Sequence, residues 1–333
     1  METQTPKNKM LEGKDLILAT KPFAKEDRAK SWYLTITSFL LWAISITVAL
    51  APLHWAIRLF SSLLAALLLV RLFAIYHDFL HKAILKNSKL AQAVFTLYGF
   101  YTLNPPSIWK RSHDYHHKHN SKLYTSSIGS FPVLTKQDYL ALNKSQQIKY
   151  LFIRHPLTIL FGYVFAFWWG MCMLSLLRNP TKHWDSLLAL VLHHSAGFAF
   201  YYLGGWSAFL FGFMIPAFLS SAMGSYLFYA QHNFPSSTFK AKEDWNYLDA
   251  ALESSSYMKM NSVMRWFTGN IGFHHIHHTN AQIPFYRLRE VHERFEEFGV
   301  AKTTSLKILD MASCFRVKVW DSEKGKMLGI KEL

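Results

Sequence analysis

Three long blocks of this chain contain no Asp, Glu, Lys or Arg: Ser31 to Ile57, His155 to Leu177, and Ser186 to Phe239. A bilayer core about 30 Å thick needs roughly 20 mostly apolar residues in helical form, and each block is long enough to supply them. A soluble helix of that length would show a charged face turn after turn. These blocks show none, so the chain reads as an integral membrane protein. Its 36 Lys and Arg against 21 Asp and Glu do not point to nucleic acid, because the basic residues sit between and outside the apolar blocks. That is the distribution expected of cytoplasmic loops near anionic headgroups. The two cysteines, Cys172 and Cys314, give neither a disulfide framework nor the ligands of an iron–sulfur cluster.

Residues 1–30 are polar, mix both signs of charge and precede a full-length apolar stretch, so they read as a cytoplasmic segment rather than a cleaved leader. Membrane helices are expected over about 33–53 and 55–76, with a tight turn at 51–54 and with Arg58 and Arg71 snorkelling to headgroups. Residues 90–103 are too short to cross and stop at Asn104-Pro105-Pro106. Three apolar stretches follow, at 157–177, 186–203 and 205–230. The expected fold class is an all-α integral membrane protein of about four transmembrane helices, with a cytoplasmic helical cap. Its expected organisation is a polar segment over 1–30, a membrane domain over 31–300 and a polar cytoplasmic tail over 301–333.

Histidine gives that cap its chemistry. The stretch "GNIGFHHIHH" (269–278) carries four histidines in its last five positions. Within it His274, His277 and His278 fall at spacing 0, 3, 4, which is one face of a helix. "HDYHH" repeats the pattern with His113, His116 and His117, and "HDFLH" sets His77 and His81 one turn apart. His232 stands alone after the last apolar stretch. Imidazole ligates Zn, Fe, Cu and Ni through a neutral ring nitrogen. One ion takes about four to six donors, so eight clustered histidines, or nine with His232, fit two metals. His119, His275 and His292 match no shared spacing, and His54, His155, His183, His193 and His194 lie beside or within apolar blocks as interfacial or helix-packing residues.

If the clusters form one site they share one membrane side, and an even number of spans separates 117 from 274. Three apolar stretches occupy that interval. Residues 186–203 are expected not to cross, because His193 and His194 sit mid-stretch and Gly204-Gly205 break its end. The spans are then 33–53, 55–76, 157–177 and 205–230, with both termini cytoplasmic. No Glu-x-x-His and no His-Glu-x-x-His occurs in the chain, which argues against a carboxylate-bridged bundle and a zinc protease. A transporter would place its ionisable groups near the bilayer midplane, whereas these lie at helix ends and in loops. A non-catalytic metal-binding protein is therefore disfavoured.

"HDFLH", "HDYHH" and "HHIHH" resemble the three histidine boxes of the membrane fatty-acid desaturases, over about residues 35–295. The segment "WFTGNIGFHHIHH" followed by "IPFYRL" is most similar to the Δ12 (omega-6) acyl desaturase branch. The resemblance implies His77, His81, His113, His116, His117, His232, His274, His277 and His278 as ligands of two irons. It implies O2 as co-substrate, a fatty-acyl chain as substrate, and a separate electron donor such as ferredoxin or cytochrome b5, since the chain carries no His-Pro-Gly-Gly and no cysteine set. It also implies a multi-pass location, expected in a bacterial inner membrane, among membrane lipid and without nucleic acid. The motif is shared with membrane hydroxylases and ketolases, so oxygen insertion stays open as an alternative outcome. Phe79-Leu80 in box one and Thr279-Asn280 after box three depart from the common pattern and are expected to abut the substrate path. Asp78 and Asp114 are candidate acceptors for the outer N–H of ligand imidazoles, with solvation or pairing to Lys or Arg as the alternative, and Trp109, Trp266 and Phe267 are channel-wall candidates that read rather as interfacial aromatics.

Overall fold

The computed structural model describes residues 11–125, 131 and 133–333. Two long helices, Arg28–Leu50 and Trp55–Leu80, run antiparallel. Asp27 caps the first by accepting from the Lys30 N–H, and His54 caps the second by accepting from the Ala56 N–H. Pro52 between them cannot continue a helix. Arg58 donates to the Ala49 carbonyl at 2.8 Å and so ties the two helix ends together at the turn. Only 22% of the apolar window of the first helix is buried within the chain, against 67% for the second. The second is therefore the central post, and its Ser61, Ser62, Ala65, Ala66 and Ala74 let neighbours approach closely.

The second long helix continues past 76 and carries His77 on its last turn. Arg71 does not snorkel. It is buried at 3% exposure, donates to Ser38 Oγ at 2.9 Å and to the Trp266 carbonyl, and lies 3.9 Å from the Trp266 ring centroid.

Among the described residues, three helical runs are able to cross a bilayer by length and composition: Arg28–Leu50, Trp55–Leu80 and Asp185–His232. The last is folded on itself at Gly204 and Gly205, where Gly205 takes φ 66°, a conformation glycine adopts without cost. From Asp185 the outgoing arm rises to the bend, and the returning arm comes back through wide π-helical turns at Phe209–Met214 into Ile215–His232. His193 on the outgoing arm packs on Phe213 of the returning arm, with ring centroids 4.8 Å apart. Near the bend, Ser62 donates to the Phe211 carbonyl at 2.5 Å and Arg58 lies over the Phe211 ring. That end is level with the 51–54 turn, far from the histidine clusters.

The helices of the three apolar stretches break elsewhere than expected. Residues 186–203 form an unbroken helix. His193 does not weaken it, because Nδ1 donates to the Tyr101 carbonyl at 2.6 Å and Nε2 faces the Tyr163 hydroxyl at 2.7 Å. The stretch 157–177 is the broken one, divided into Pro156–Leu160, a π-helical run Tyr163–Met173 and Leu174–Arg178. It starts beside Arg154, which donates to Asn233 just past His232, and ends with Ser175 Oγ 2.9 Å from Ser186 Oγ at the base of the outgoing arm. Both of its ends lie at the histidine level.

The polar side holds the rest. Thr20 accepts from Asn280, and Leu16 joins the core that contains Tyr76, Ile276 and Phe285, so residues 11–27 cover the segment after box three. The cap is not purely helical: Tyr257–Lys259 pairs in parallel with Thr303–Ser305, and Val317–Asp321 pairs antiparallel with Lys326–Gly329. The stretch after 301 is therefore not a loose tail. Val319 and Leu328 pack on Tyr139 and Tyr150, and Lys318 Nζ donates to the Arg154 carbonyl at 2.6 Å.

Candidate metal centre

Each histidine cluster is placed by its own local structure. His77 sits on the final turn of the second long helix and His81 caps it. Pro105 and Pro106 start the box-two helix, Pro106–His119, with proline where a helix tolerates it. Trp109, Ser112, His113, His116 and His117 form its buried face, while Arg111 and Lys118 stay exposed. Box three is a single short helix, His274–Thr279, so its position depends on the turn before it. There Gly269 takes φ +55°, and a Cβ on it would lie 2.6 Å from the Ala74 Cβ. Only glycine fits that approach of the box-three loop to the box-one helix. Arg71 holds the neighbouring Trp266 carbonyl, and Asn270 donates to the Phe285 carbonyl at 3.1 Å.

The folded chain gathers all nine expected histidines into two groups. His77, His81, His113, His117 and His277 form one, and His116, His232, His274 and His278 the other; in each, one donor atom per residue lies within 4.8 Å of the rest. In the first group Nε2 atoms approach at 2.9 Å (His77–His113), 3.0 Å (His113–His117) and 3.1 Å (His117–His277). In the second the distances are 3.0 Å (His116–His232), 2.9 Å (His232–His274) and 3.2 Å (His274–His278). The groups touch where the rings of His117 and His278 stack at 4.2 Å.

Hydrogen bonding between imidazoles does not account for this geometry. A ring nitrogen carries either one proton or one lone pair. His232 Nδ1 donates to the Ser254 carbonyl at 3.1 Å, which leaves its Nε2 bare, yet that Nε2 faces two other Nε2 atoms. Metal–imidazole bonds of about 2.1 Å at right angles put two nitrogens about 3 Å apart, which matches the observed spacings. His81 Nε2 is buried without a hydrogen-bond partner. The donor set therefore fits a pair of metal ions. Burial, and then the charge of neighbouring imidazoles, holds His81, His113, His117, His274, His277 and His278 well below the ordinary imidazole value. They are neutral, as ligands must be.

Around the donors, His77 Nδ1 faces Asp78 Oδ1 at 3.3 Å, and Asp78 Oδ2 accepts from the Phe285 N–H at 2.6 Å. Asp78 thus takes the outer-partner role, whereas Asp114 points away and pairs with Lys110. Trp109 is not interfacial: it stacks on His113 at 4.4 Å. The spacing of Trp109, one turn before His113, was the signal for that. His119 stacks on Tyr115, and His275 and His292 face each other beyond the cluster.

A cavity of about 1190 Å³ reaches His77 and His113 of the first group and His274 of the second, between Leu69, Phe73, Leu227 and Phe228. Phe79 and Leu80 do not line it; Phe79 stacks on Phe95 at 4.9 Å, and both residues are buried in the hydrophobic core. Thr279 bonds back to the His275 carbonyl and Asn280 to Thr20. The departures from the box pattern are accommodated by packing, away from the cavity.

A family model described as fatty acid desaturase matches residues 53–305. A fatty acid desaturase of Bacillus subtilis (strain 168) is 30% identical over 281 residues, covering 84% of this chain and 79% of that protein. The chloroplastic omega-6 fatty acid desaturase of Arabidopsis thaliana is 25% identical over 283 residues, 80% of this chain and 59% of its own length. The sn-1 oleoyl-lipid 12-desaturase of Anabaena variabilis is 22% identical over 320 residues, 89% of this chain and 86% of its own. The match takes in every histidine of both groups, and the chain belongs to the fatty acid desaturase family, as an oxidoreductase acting on fatty acids.

Proposed function

We propose that the protein is an O2-dependent acyl desaturase that holds one iron in each histidine group and places a Δ12 (omega-6) double bond in an oleoyl-type chain. The observation that carries this reading is the apolar cavity ending on donors of both groups. The nine histidines are the proposed ligands, and the irons, when bound, supply the oxidising power that O2 needs to act on an unactivated methylene. The balance is two hydrogens from adjacent methylenes, two electrons from a separate donor such as ferredoxin or cytochrome b5, and two protons, with O2 reduced to two waters. The chain's own part is placement. Leu69, Phe73, Leu227 and Phe228 exclude water and hold a methylene beside the donors. The omega-6 position is supported by the similarity to omega-6 and 12-desaturases.

The proposed topology has four spans, in Arg28–Leu50, Trp55–Leu80 and the two arms of Asp185–His232, with 157–178 re-entering. The histidines and both termini face the cytoplasm. A cysteine placed at 51–54 is then labelled from outside intact cells, and one near residue 140 is not. The activity is tested by feeding labelled oleate and stearate separately to expressing cells that lack desaturases. Linoleoyl chains from oleate, with stearate little used, are expected. New Δ9 monoenes from stearate would overturn the position, and a hydroxylated product would overturn desaturation itself.

A further inference from the structure

Three exposed cations from three different elements line the same cavity: Arg111 of the box-two helix, Lys149 and Arg178. Being both exposed and cavity-lining, they mark its mouth. Among the described residues none of the three forms an ion pair with a carboxylate. Arg111 is nonetheless held in place. Its Nη1 lies 3.5 Å from Nε2 of His183, which is buried at 2% exposure. His183 Nδ1 faces Ser107 Oγ at 2.9 Å, and Ser107 Oγ donates to Asp185 Oδ1 at 2.5 Å. Asp185 Oδ2 accepts from the Ser107 N–H at 2.9 Å.

The proton directions are fixed from one end. The carboxylate only accepts, so Ser107 donates to it and accepts from His183 Nδ1–H. That leaves His183 Nε2 bare to accept from the arginine. Burial and the nearby Arg111 push the His183 pKa down, which keeps the ring in this neutral form. The carboxylate is spent inside the relay, and the guanidinium at its other end keeps free donors for an anion.

We propose that this mouth binds a phosphate group of the carrier to which the acyl chain is esterified, with Arg111 as the recognising group, Lys149 and Arg178 as further cations of the same lining, and Asp185, Ser107 and His183 as positioning residues. This rests on the reading of the cavity as the acyl site. A phospholipid headgroup and the phosphates of coenzyme A or of an acyl carrier protein share this chemistry, and the mouth lies where the chain's polar end would remain in the interfacial layer.

The test uses the full-length, iron-loaded protein. Equilibrium binding of labelled dioleoylphosphatidylglycerol, oleoyl-coenzyme A, oleoyl-acyl carrier protein and phosphate-free dioleoylglycerol is measured in neutral micelles, with turnover followed separately. At least one phosphate-bearing ligand should bind about tenfold or more tightly than dioleoylglycerol, the scale of one charge-assisted contact. Arg111→Gln should erase that difference, Arg111→Lys should keep part of it, and His183→Ala should reduce it with iron content and dioleoylglycerol binding unchanged. Lys14→Gln, outside the cavity lining, serves as the control. The ligand that shows the Arg111 dependence identifies the carrier. Equal binding of all four ligands to wild type, or an Arg111→Gln variant that still discriminates, would overturn the proposal. A protein that shows the Arg111-dependent binding but no turnover would contradict the desaturase reading and leave the mouth standing.

Discussion

The two histidine groups differ in where their donors originate. The first takes both histidines of box one, the outer pair of box two (His113, His117) and the middle member of box three (His277). The second takes the middle member of box two (His116), the outer pair of box three (His274, His278) and His232. A box is therefore not a site. On a helix the 0 and 4 positions stack one above the other while position 3 is rotated by some 60°, so each triplet contributes to both groups at once. Only box one and His232 belong to a single group. The first group is approached by the large cavity at two of its members, the second at His274 alone.

The largest expected effect comes from cutting one shared triplet. His116→Ala and His277→Ala should each lower product formation by about a thousandfold or more, the scale on which removal of one member of a catalytic unit acts. Each should also cost the iron of its own group, read by metal analysis of purified protein. Full iron with retained activity in either variant would break the division into two groups.

Acidification should act on both groups together. The imidazoles held below their ordinary value by burial take up few protons when folded, whereas in the unfolded chain they titrate near pH 6.5. Below that pH the unfolded state binds more protons, so lowering the pH favours unfolding. Metal-depleted protein should keep a level melting temperature above about pH 7 and lose it progressively towards about pH 5. A melting temperature that rises on acidification would contradict the burial of neutral imidazoles.

Replacing Asp78 by Asn should weaken only the first group, by about 10- to 100-fold in metal affinity, because a carboxylate partner of a ligand imidazole raises its basicity. The second group, whose His232 is oriented by the Ser254 backbone carbonyl, should be unaffected, and competition with a chelator would separate the two. The smallest effect on the metals is expected from Gly269→Ala, which leaves every ligand in place. It should cost about 2 kcal/mol of stability through the positive φ and the overlap with Ala74, read as a lower melting temperature with iron still bound.

The histidines were legible in the sequence because spacing on a helix is a local property: 0, 3, 4 and i, i+4 patterns carry their geometry with them. Their division between two groups was not, since it depends on how three helices from distant parts of the chain face one another. The same limit explains the apolar stretches. Residues 157–177 and 186–203 are alike in composition, and the two mid-stretch histidines of 186–203 make it read as the weaker helix. His193 is satisfied by Tyr101 and Tyr163, both distant in sequence, whereas 157–177 is divided into three helical segments with no charged residue to announce it. Arg71 carried a usable signal, as a lone charge nearly two turns inside an apolar helix, too deep to reach the headgroups as expected. Phe79 and Leu80 depart from the box pattern yet are buried in the core rather than on the cavity wall, because a motif does not say which of its side chains its neighbours cover.

The division into two interlocked groups is the centre of the account, and iron stoichiometry tests it most directly. Iron bound per chain, measured on wild type, His77→Ala, His232→Ala and the double variant, should be two, one, one and none. Wild type that holds a single ion, or single variants that lose both ions or neither, would contradict it.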